Sequence, residues 1–216
     1  DEGSGTTARD SWGTNNGTLG DGTCIPGNGT CPNWNSSGVI RGALSFDGVN
    51  DNVNLGNDSS LNFTTENFTI AFWIKPTILA TGRNIFCRGT INTYGYEVMT
   101  INTGAIHLHT SQSGANQTTA APAGTLVNGV WSHIVVVRNG STGYIYKNGV
   151  DVTSSQPIII NPATSANNAK IGSRSNDTNF INAVIDEVYV YNAALTAQEV
   201  QQRYAESAPR HNVVLK

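Results

Sequence analysis

From residue 43 onward the chain is a series of short segments in which apolar and polar residues alternate, each closed by Gly, Asn, Asp or Thr. In FTIAFWIKP, Phe68, Ile70, Phe72 and Ile74 fall on one side and Thr69, Ala71, Trp73 and Lys75 on the other, the period of a strand with one face in a core and one outward. ALSFDG, DNVNLG, YEVMTI, AIHLHT, WSHIVVVR, GYIYKNGV, AKIGS and INAVIDEVYVYN read as further strands. The Asn-Gly and Thr-Gly pairs between them predict tight turns, with hairpins at Asn102–Gly104 and Asn139–Gly143. About ten antiparallel strands at this spacing specify an all-β fold, a two-sheet antiparallel jelly-roll sandwich. LTAQEVQQRY breaks the pattern: Thr196 as N-cap with Glu199 three residues on forms a capping box and predicts one short C-terminal helix. Residues 1–42 carry little periodicity and read as ordered loops wrapped on the scaffold. The domain is therefore placed at 1–204, and 205–216 is read as a tail or linker whose end, HNVVLK, alternates like an added strand.

Composition narrows the setting. Only 12% of the 216 residues are charged, and the net charge of -3 comes with no Lys/Arg cluster, so no surface is available to track nucleic-acid phosphates. No apolar run approaches the roughly 18 residues of a membrane span. The missing charge is replaced by 26 Asn, 24 Thr and 17 Ser. Asn-x-Ser/Thr triplets begin at Asn16, Asn28, Asn35, Asn57, Asn62, Asn67, Asn116, Asn139 and Asn176, an excess over chance that points to glycosylation on a secreted or cell-surface route. Cys24 and Cys31 bracket the turn-forming loop IPGNGT, which nothing else nearby would hold shut, and are read as a disulfide made in an oxidising, extracellular compartment. Cys87, in register with Ile85, reads as a small buried hydrophobe. The chain opens on Asp1 in what reads as mid-domain, so an N-terminal segment is expected to have been removed.

Several of these segments carry a resemblance. DEGSGTTARDSWGTNNGTL, GALSFDGVNDNVNLG, FTIAFWIKPT, GVWSHIVVVRNGSTGYIYKNGV and AKIGS followed by IDEVYVYNAALTAQEVQQRY resemble, in order and spacing, the laminin-G-like domains of the concanavalin A-like lectin/glucanase superfamily. The match runs from residue 1 to about 204, and its last block is the most specific. The resemblance implies a two-sheet jelly roll, a module of a larger secreted or surface protein, and duties in carbohydrate binding, adhesion or assembly. It does not imply catalysis.

Candidate chemistry follows from single residues. In INAVIDEVYVYN, strict alternation puts Asp186 in register with Val184, Val188 and Val190, a carboxylate on an apolar face where an unpaired charge is costly. A structural calcium ion answers that cost, since hard cations take carboxylate and carbonyl oxygens together. The resemblance assigns the last-strand acid to calcium, with Asp47 and Asp10 as weaker ligands. Backbone amides, or Arg41, would satisfy Asp186 equally. His107 and His109, two apart in AIHLHT, share a strand face; they read as a solvated polar surface or half of a transition-metal site. For a sugar, an apolar ring face stacks on pyranose CH groups while amides take the hydroxyls. Trp34, Trp73, Tyr94 and Tyr96 with Asn92 are the candidates, and packing over a sheet is the alternative for each. Trp12 and Trp131 read as core or loop anchors.

Enzymatic motifs are missing. The glucanases of the superfamily use a Glu-x-Asp-x-x-Glu strand, and no such string occurs, nor a Gly-x-Ser-x-Gly elbow, a Gly-rich phosphate loop or a His-Glu-x-x-His helix. The leading expectation is a noncatalytic extracellular recognition module that binds glycan or a protein surface. The alternatives are a structural glycoprotein subunit of an extracellular filament or surface layer and, weakest, a sandwich-fold glycoside hydrolase. The filament reading rests on low charge, the triplets and the tail. Related domains open on an apolar strand before the Asp-Glu-Gly-Ser-Gly stretch, so a sheet position is expected to stand open here, and HNVVLK is of a kind to fill it in its own chain or the next subunit.

Overall fold

The computed structural model describes residues 2–211, with side chains as far as 208. Two antiparallel sheets face each other. The eight-stranded sheet runs in the order Thr7–Ala8 (β1), Gly17–Leu19 (β2), Val53–Asn54 (β5), Lys170–Ile171 (β14), Arg83–Thr90 (β7), Tyr94–Thr100 (β8), Ile106–Gln112 (β9) and Ala115–Ala120 (β10). The seven-stranded sheet runs Val150–Asp151 (β13), Thr142–Lys147 (β12), Ser132–Asn139 (β11), Phe68–Ile78 (β6), Asn182–Tyr191 (β15), Ala43–Asp47 (β4) and Asn33–Asn35 (β3). The jelly-roll sandwich is therefore as the alternation specifies. Strands also form where alternation is weak, at β1, β2 and β3 inside the Gly/Asn-rich opening, at β7, and at ANQTTA in β10. Apart from Ile85, Phe86 and Cys87 in β7, these sequences hold few apolar residues, and pairing with neighbours makes them strands.

Between the sheets lies one core, with Phe68, Ile70, Phe72 and Ile74 from β6 facing Phe86, Tyr96, Val98, Ile106 and Leu108 from the opposing sheet. Two arginines are fully buried beside it. Arg88 donates to the carbonyls of Asn57, Asp58 and Ser165, and Arg138 to those of Thr64 and Glu66 and to Asn161. Each guanidinium thus ties loops to the sandwich at the cost of desolvating a charge.

The other face of β6 is not outward as its alternation suggests. Thr69, Ala71 and Trp73 are buried, because the helix Ala197–His211 (α1) lies across it. Val200 seals a second cluster with Ala71, Val135, Val137 and Tyr146, and Tyr204 packs on Trp73 and His133. The capping box forms, with the Glu199 amide donating to Thr196 Oγ1 and the Thr196 amide donating to Glu199. The helix runs past residue 204, so the first part of the expected tail, 205–211, is helical; the strand expected in HNVVLK falls on residues 212–216, outside the described residues. Cys24 and Cys31 are bonded, with Cα atoms 6.0 Å apart, and Cys87 is a buried free thiol.

Candidate functional site

The expected sugar-binding aromatics are distributed very differently by the fold. Tyr96 is 1% exposed, at the centre of a cluster with Phe63, Phe68 and Phe86, and its hydroxyl donates to the Leu61 carbonyl at 2.8 Å. Burial pushes that phenol far above its usual range. It is a core residue, because β8 turns it inward opposite β6. Trp73 is likewise excluded from solvent: its ring centroid lies 5.3 Å from His133 and 5.9 Å from Tyr204, and its Nε1 donates to Ser207 Oγ. Its face looks outward only until the helix is placed. Trp34 is half-buried on β3 and donates from Nε1 to the Gly5 carbonyl at 2.8 Å, so it anchors the N-terminal loop. Asn92, exposed with φ 64°, and the half-buried Tyr94 stay together at the β7–β8 turn, several strands away from β1 and β2.

The residue that does stand free is Trp12, 99% exposed between β1 and β2. Its loop is built around one carboxylate. Asp10 Oδ1 accepts from the amides of Trp12 (3.0 Å) and Gly13 (2.9 Å), and Oδ2 accepts from the Asn15 amide at 3.0 Å. The Asp10 amide donates to Asn16 Oδ1, and Asn15 Nδ2 reaches Ser60 Oγ, beside the carbonyls held by Arg88. Burial raises the Asp10 carboxyl, but the three amide hydrogen bonds outweigh it and hold the group below its ordinary value. A side chain at Gly13 would meet Asp10 Oδ2 at 2.7 Å. The loop is a preformed pedestal carrying a bare indole. Asp10-x-Trp12-Gly13 is an Asx-turn sequence, and that was the signal available to separate Trp12 from an anchor.

The acids expected to hold calcium are each served by backbone donors. Asp186 Oδ2 accepts from the amides of Val39 (2.7 Å) and Ile40 (3.1 Å), and Oδ1 from that of Glu187 (2.8 Å). Burial raises its carboxyl, opposed by those hydrogen bonds. Alternation also fails at this point: a bulge after Asp186, with Glu187 at φ 50°, leaves Asp186 outward beside Trp73 while Val188 and Val190 turn to the core. Asp47 Oδ1 accepts from the Val49 amide. Asp51 is different. It is buried, its Oδ1 has no partner, and burial with the neighbouring Asp47 charge pushes its carboxyl up to about 6 against the pull of the Asp47 amide. Among the described residues no group of three or more His, Cys, Asp or Glu side chains gathers to hold one ion.

On the outer face of the eight-stranded sheet, Lys170, Cys87, Glu97, His109 and Thr118 form one row of register partners from β14 to β10. It is a polar layer that packs rather than a solvated surface. Glu97 is bound by Arg174 and Asn84, and Lys170 by Asp177; His109 Nδ1 meets Asn116 and Thr118. Burial, then His107 and Arg174, lower His109 to about 4, and burial with the Glu97 charge raises the Cys87 thiol to about 11, which removes it as a nucleophile. Of the nine triplet asparagines, Asn16, Asn28, Asn57, Asn139 and Asn176 are exposed, whereas Asn35, Asn62, Asn67 and Asn116 are half-buried. Asn116 spends its Nδ2 on His109.

With two sheets, the helix and the last-strand bulge in place, the class is a jelly-roll sandwich. The chain belongs to the concanavalin A-like lectin/glucanases superfamily, whose laminin-G family model matches residues 47–201. No protein with a curated description matches it in sequence. Among solved structures, it is similar to the binding domain of Paraclostridial Mosquitocidal Protein 1, at 16% identity and TM-score 0.68, over 93% of this chain and 51% of that one. The botulinum neurotoxin serotype G binding domain matches at 16% identity and TM-score 0.66, over 91% and 48%. A structure of botulinum neurotoxin type C, whose cell entry is described as dependent on two ganglioside molecules, matches at 17% and TM-score 0.56, over 77% and 40%. The chain thus spans about half the length of the first of these structures. At such identities the likeness is one of fold.

Proposed function

We propose that this domain is a noncatalytic recognition module of a secreted or cell-surface protein, and that it binds glycan through the Trp12 loop. The observation that carries the reading is a fully exposed tryptophan on a loop fixed by Asp10. Such a platform gains by stacking on a pyranose face and has little ordering entropy left to lose. The hollow beside Tyr144, Tyr146 and Leu195 has no carboxylate among the described residues of its lining and so offers a glycosidase no acid, whereas the exposed indole offers a stacking surface. The ganglioside dependence of the type C toxin structure supports a sugar ligand by analogy of fold. Glu97, the most buried glutamate, is committed to Arg174 and Asn84, which argues against a glycosidase acid there.

An array of neutral and sialylated oligosaccharides, probed with the wild-type chain and with Trp12→Ala, tests the reading. Binding by the wild type that the variant loses, at unchanged melting temperature, is the expected result; equal binding by both would overturn it.

Calcium is a separate proposal. At Asp186 and Asp10 the carboxylate oxygens already face amide hydrogens, which suits them poorly to a cation. The Asp47–Asp51 loop fits better, through the unpartnered Asp51 Oδ1. Melting in calcium against chelator checks it, and a midpoint that does not move removes the proposal.

A further inference from the structure

Four arginines of the described residues are buried or half-buried, and three of them have spent their guanidinium groups. Arg88 and Arg138 hold loop carbonyls, and Arg174 holds Glu97. Arg83 is the exception. It is half-buried at the start of β7, and no hydrogen bond or ion pair among the described residues engages its guanidinium. Drawing a charge out of water without a partner is costly, so a ligand that supplies the partner gains what the fold leaves unrecovered. Arg83 lines a hollow of about 140 Å3 at one end of the sandwich, and the rest of the wall comes from the opposite sheet. There Asp47, Asn182 and Ile78 are register partners across β4, β15 and β6, and Phe180 stands on the connection into β15. The wall has three chemically distinct parts. Asp47 and Asn182 make an acceptor side: the Val49 amide fixes the carboxylate, and Asn182 spends its Nδ2 on the Asp47 carbonyl at 2.8 Å, which leaves Oδ1 to accept. Arg83 makes a donor side. Ile78, 56% exposed, and the half-buried Phe180 make an apolar side. Asp47 and Arg83 share the hollow yet form no ion pair, since each is fixed on a different sheet and packed sheets stand about 10 Å apart.

We propose that this hollow binds a free amino acid with an apolar side chain, as a zwitterion. Opposite charges held apart beside an apolar wall are the complement of that molecule. Its carboxylate takes the planar fork of Arg83, and its ammonium gives its three hydrogens to the Asp47 carboxylate and Asn182 Oδ1. Its side chain leaves water against Ile78 and Phe180. Other ligand classes leave part of the wall unanswered. A phosphate or sulfate dianion meets the Asp47 charge, a bare cation in the hollow faces Arg83, and a neutral sugar leaves both charges unpaired. Size agrees: at about 30 Å3 per water the hollow holds about five waters, room for one amino acid and not for an oligosaccharide. The site is also separate from the Trp12 loop. Asp47 precedes β5, whereas Asn15 of that loop touches Ser60, beyond the other end of β5.

The test titrates the full chain with L-leucine, followed by ligand-observed NMR, in chelator so that calcium at the Asp47–Asp51 loop does not replace the ammonium. Three probes each lack one part of the ligand: leucinamide the carboxylate, isocaproate the ammonium, and glycine the side chain. Leucine should bind, and each probe should bind about tenfold or more weakly than leucine, the scale of one lost charge-assisted hydrogen bond or buried side chain. Arg83→Gln should weaken leucine by a similar factor and erase the difference between leucine and leucinamide. Asp47→Asn, which still accepts from the Val49 amide, should erase the difference between leucine and isocaproate. Ile78→Ser serves where a charged-residue variant disturbs folding, since Ile78 is mostly exposed, and should weaken leucine but not glycine. Absence of leucine binding by the folded wild type would overturn the proposal, as would equal binding of leucine by Arg83→Gln. Isocaproate or leucinamide bound as well as leucine would reveal a simple ion site and overturn the zwitterion, and N-acetylneuraminate bound more tightly than leucine would replace it with a sugar acid. Trp12→Ala leaves leucine binding unchanged and Arg83→Gln leaves binding at the Trp12 loop unchanged, so failure of the glycan reading and failure of this one are separately visible.

Discussion

Trp73 and Trp12 occupy opposite environments, and the contrast shows how little a tryptophan's own neighbourhood in sequence says about its role. Trp73 sits in a strand whose alternation puts it outward with Thr69 and Lys75, yet α1 covers it and Ser207, Tyr204 and His133 enclose it. Trp12 sits in a polar stretch where a large apolar residue reads as an anchor, yet no described residue covers it. Burial is decided by what arrives from elsewhere in the chain. Exposure at Trp12 is decided locally, because Asp10 satisfies the loop's amides and leaves the indole no partner to fold onto. The first residue contributes to stability; the second is free to meet a ligand.

The sharpest way to break this contrast is Trp73→Ala. It empties the contact between helix and sheet and should cost about 3–5 kcal/mol, read as a lower denaturant midpoint. Glycan binding by the fraction that remains folded should be intact. A loss below about 1 kcal/mol would mean that the helix does not depend on this ring.

Acidification loosens the same region by a second route. Burial holds His133, packed on Trp73 and Tyr204, down at about 4, whereas in the unfolded chain the ring titrates near its ordinary 6.5. The unfolded state therefore binds the proton first, and stability falls as pH drops from about 6.5 to 4, by about 1.4 kcal/mol per unit of separation at most. His109 acts in the same direction. Asp51, held up at about 6, acts oppositely, because the folded state keeps its proton and stability is lost as pH rises through 6. His133→Phe should flatten the acid limb of a stability-against-pH curve, and an unaltered limb would assign the effect to other groups.

At the exposed tryptophan the effects are smaller in stability and larger in binding. Asp10→Ala releases the amides of Trp12, Gly13 and Asn15 and should cost about 1 kcal/mol, the scale of a lost cap, with weaker glycan binding because the loop must then be ordered by the ligand. Trp12→Ala should change stability by no more than about 0.5 kcal/mol while removing binding. If Asp10→Ala binds as well as the wild type, the pedestal is not what presents the indole.

The sandwich, the helix cap and the disulfide are legible in the order of residues alone, because each rests on short-range physics. A period of two sets which side chains of β6 face the core, Thr196 and Glu199 satisfy each other within one turn, and Cys24 and Cys31 close a short loop. The rest depends on places where distant segments meet. The helix buries the outward face of β6; the Val39 and Ile40 amides, far from Asp186 in sequence, satisfy its carboxylate. The bulge at Glu187 flips Val188 and Val190 to the core, a one-residue slip that no count of alternating residues reveals. Tyr96 and Trp73 lost their candidacy for the same reason: a ring's exposure depends on every element that can pack against it, and that sum is taken only in three dimensions.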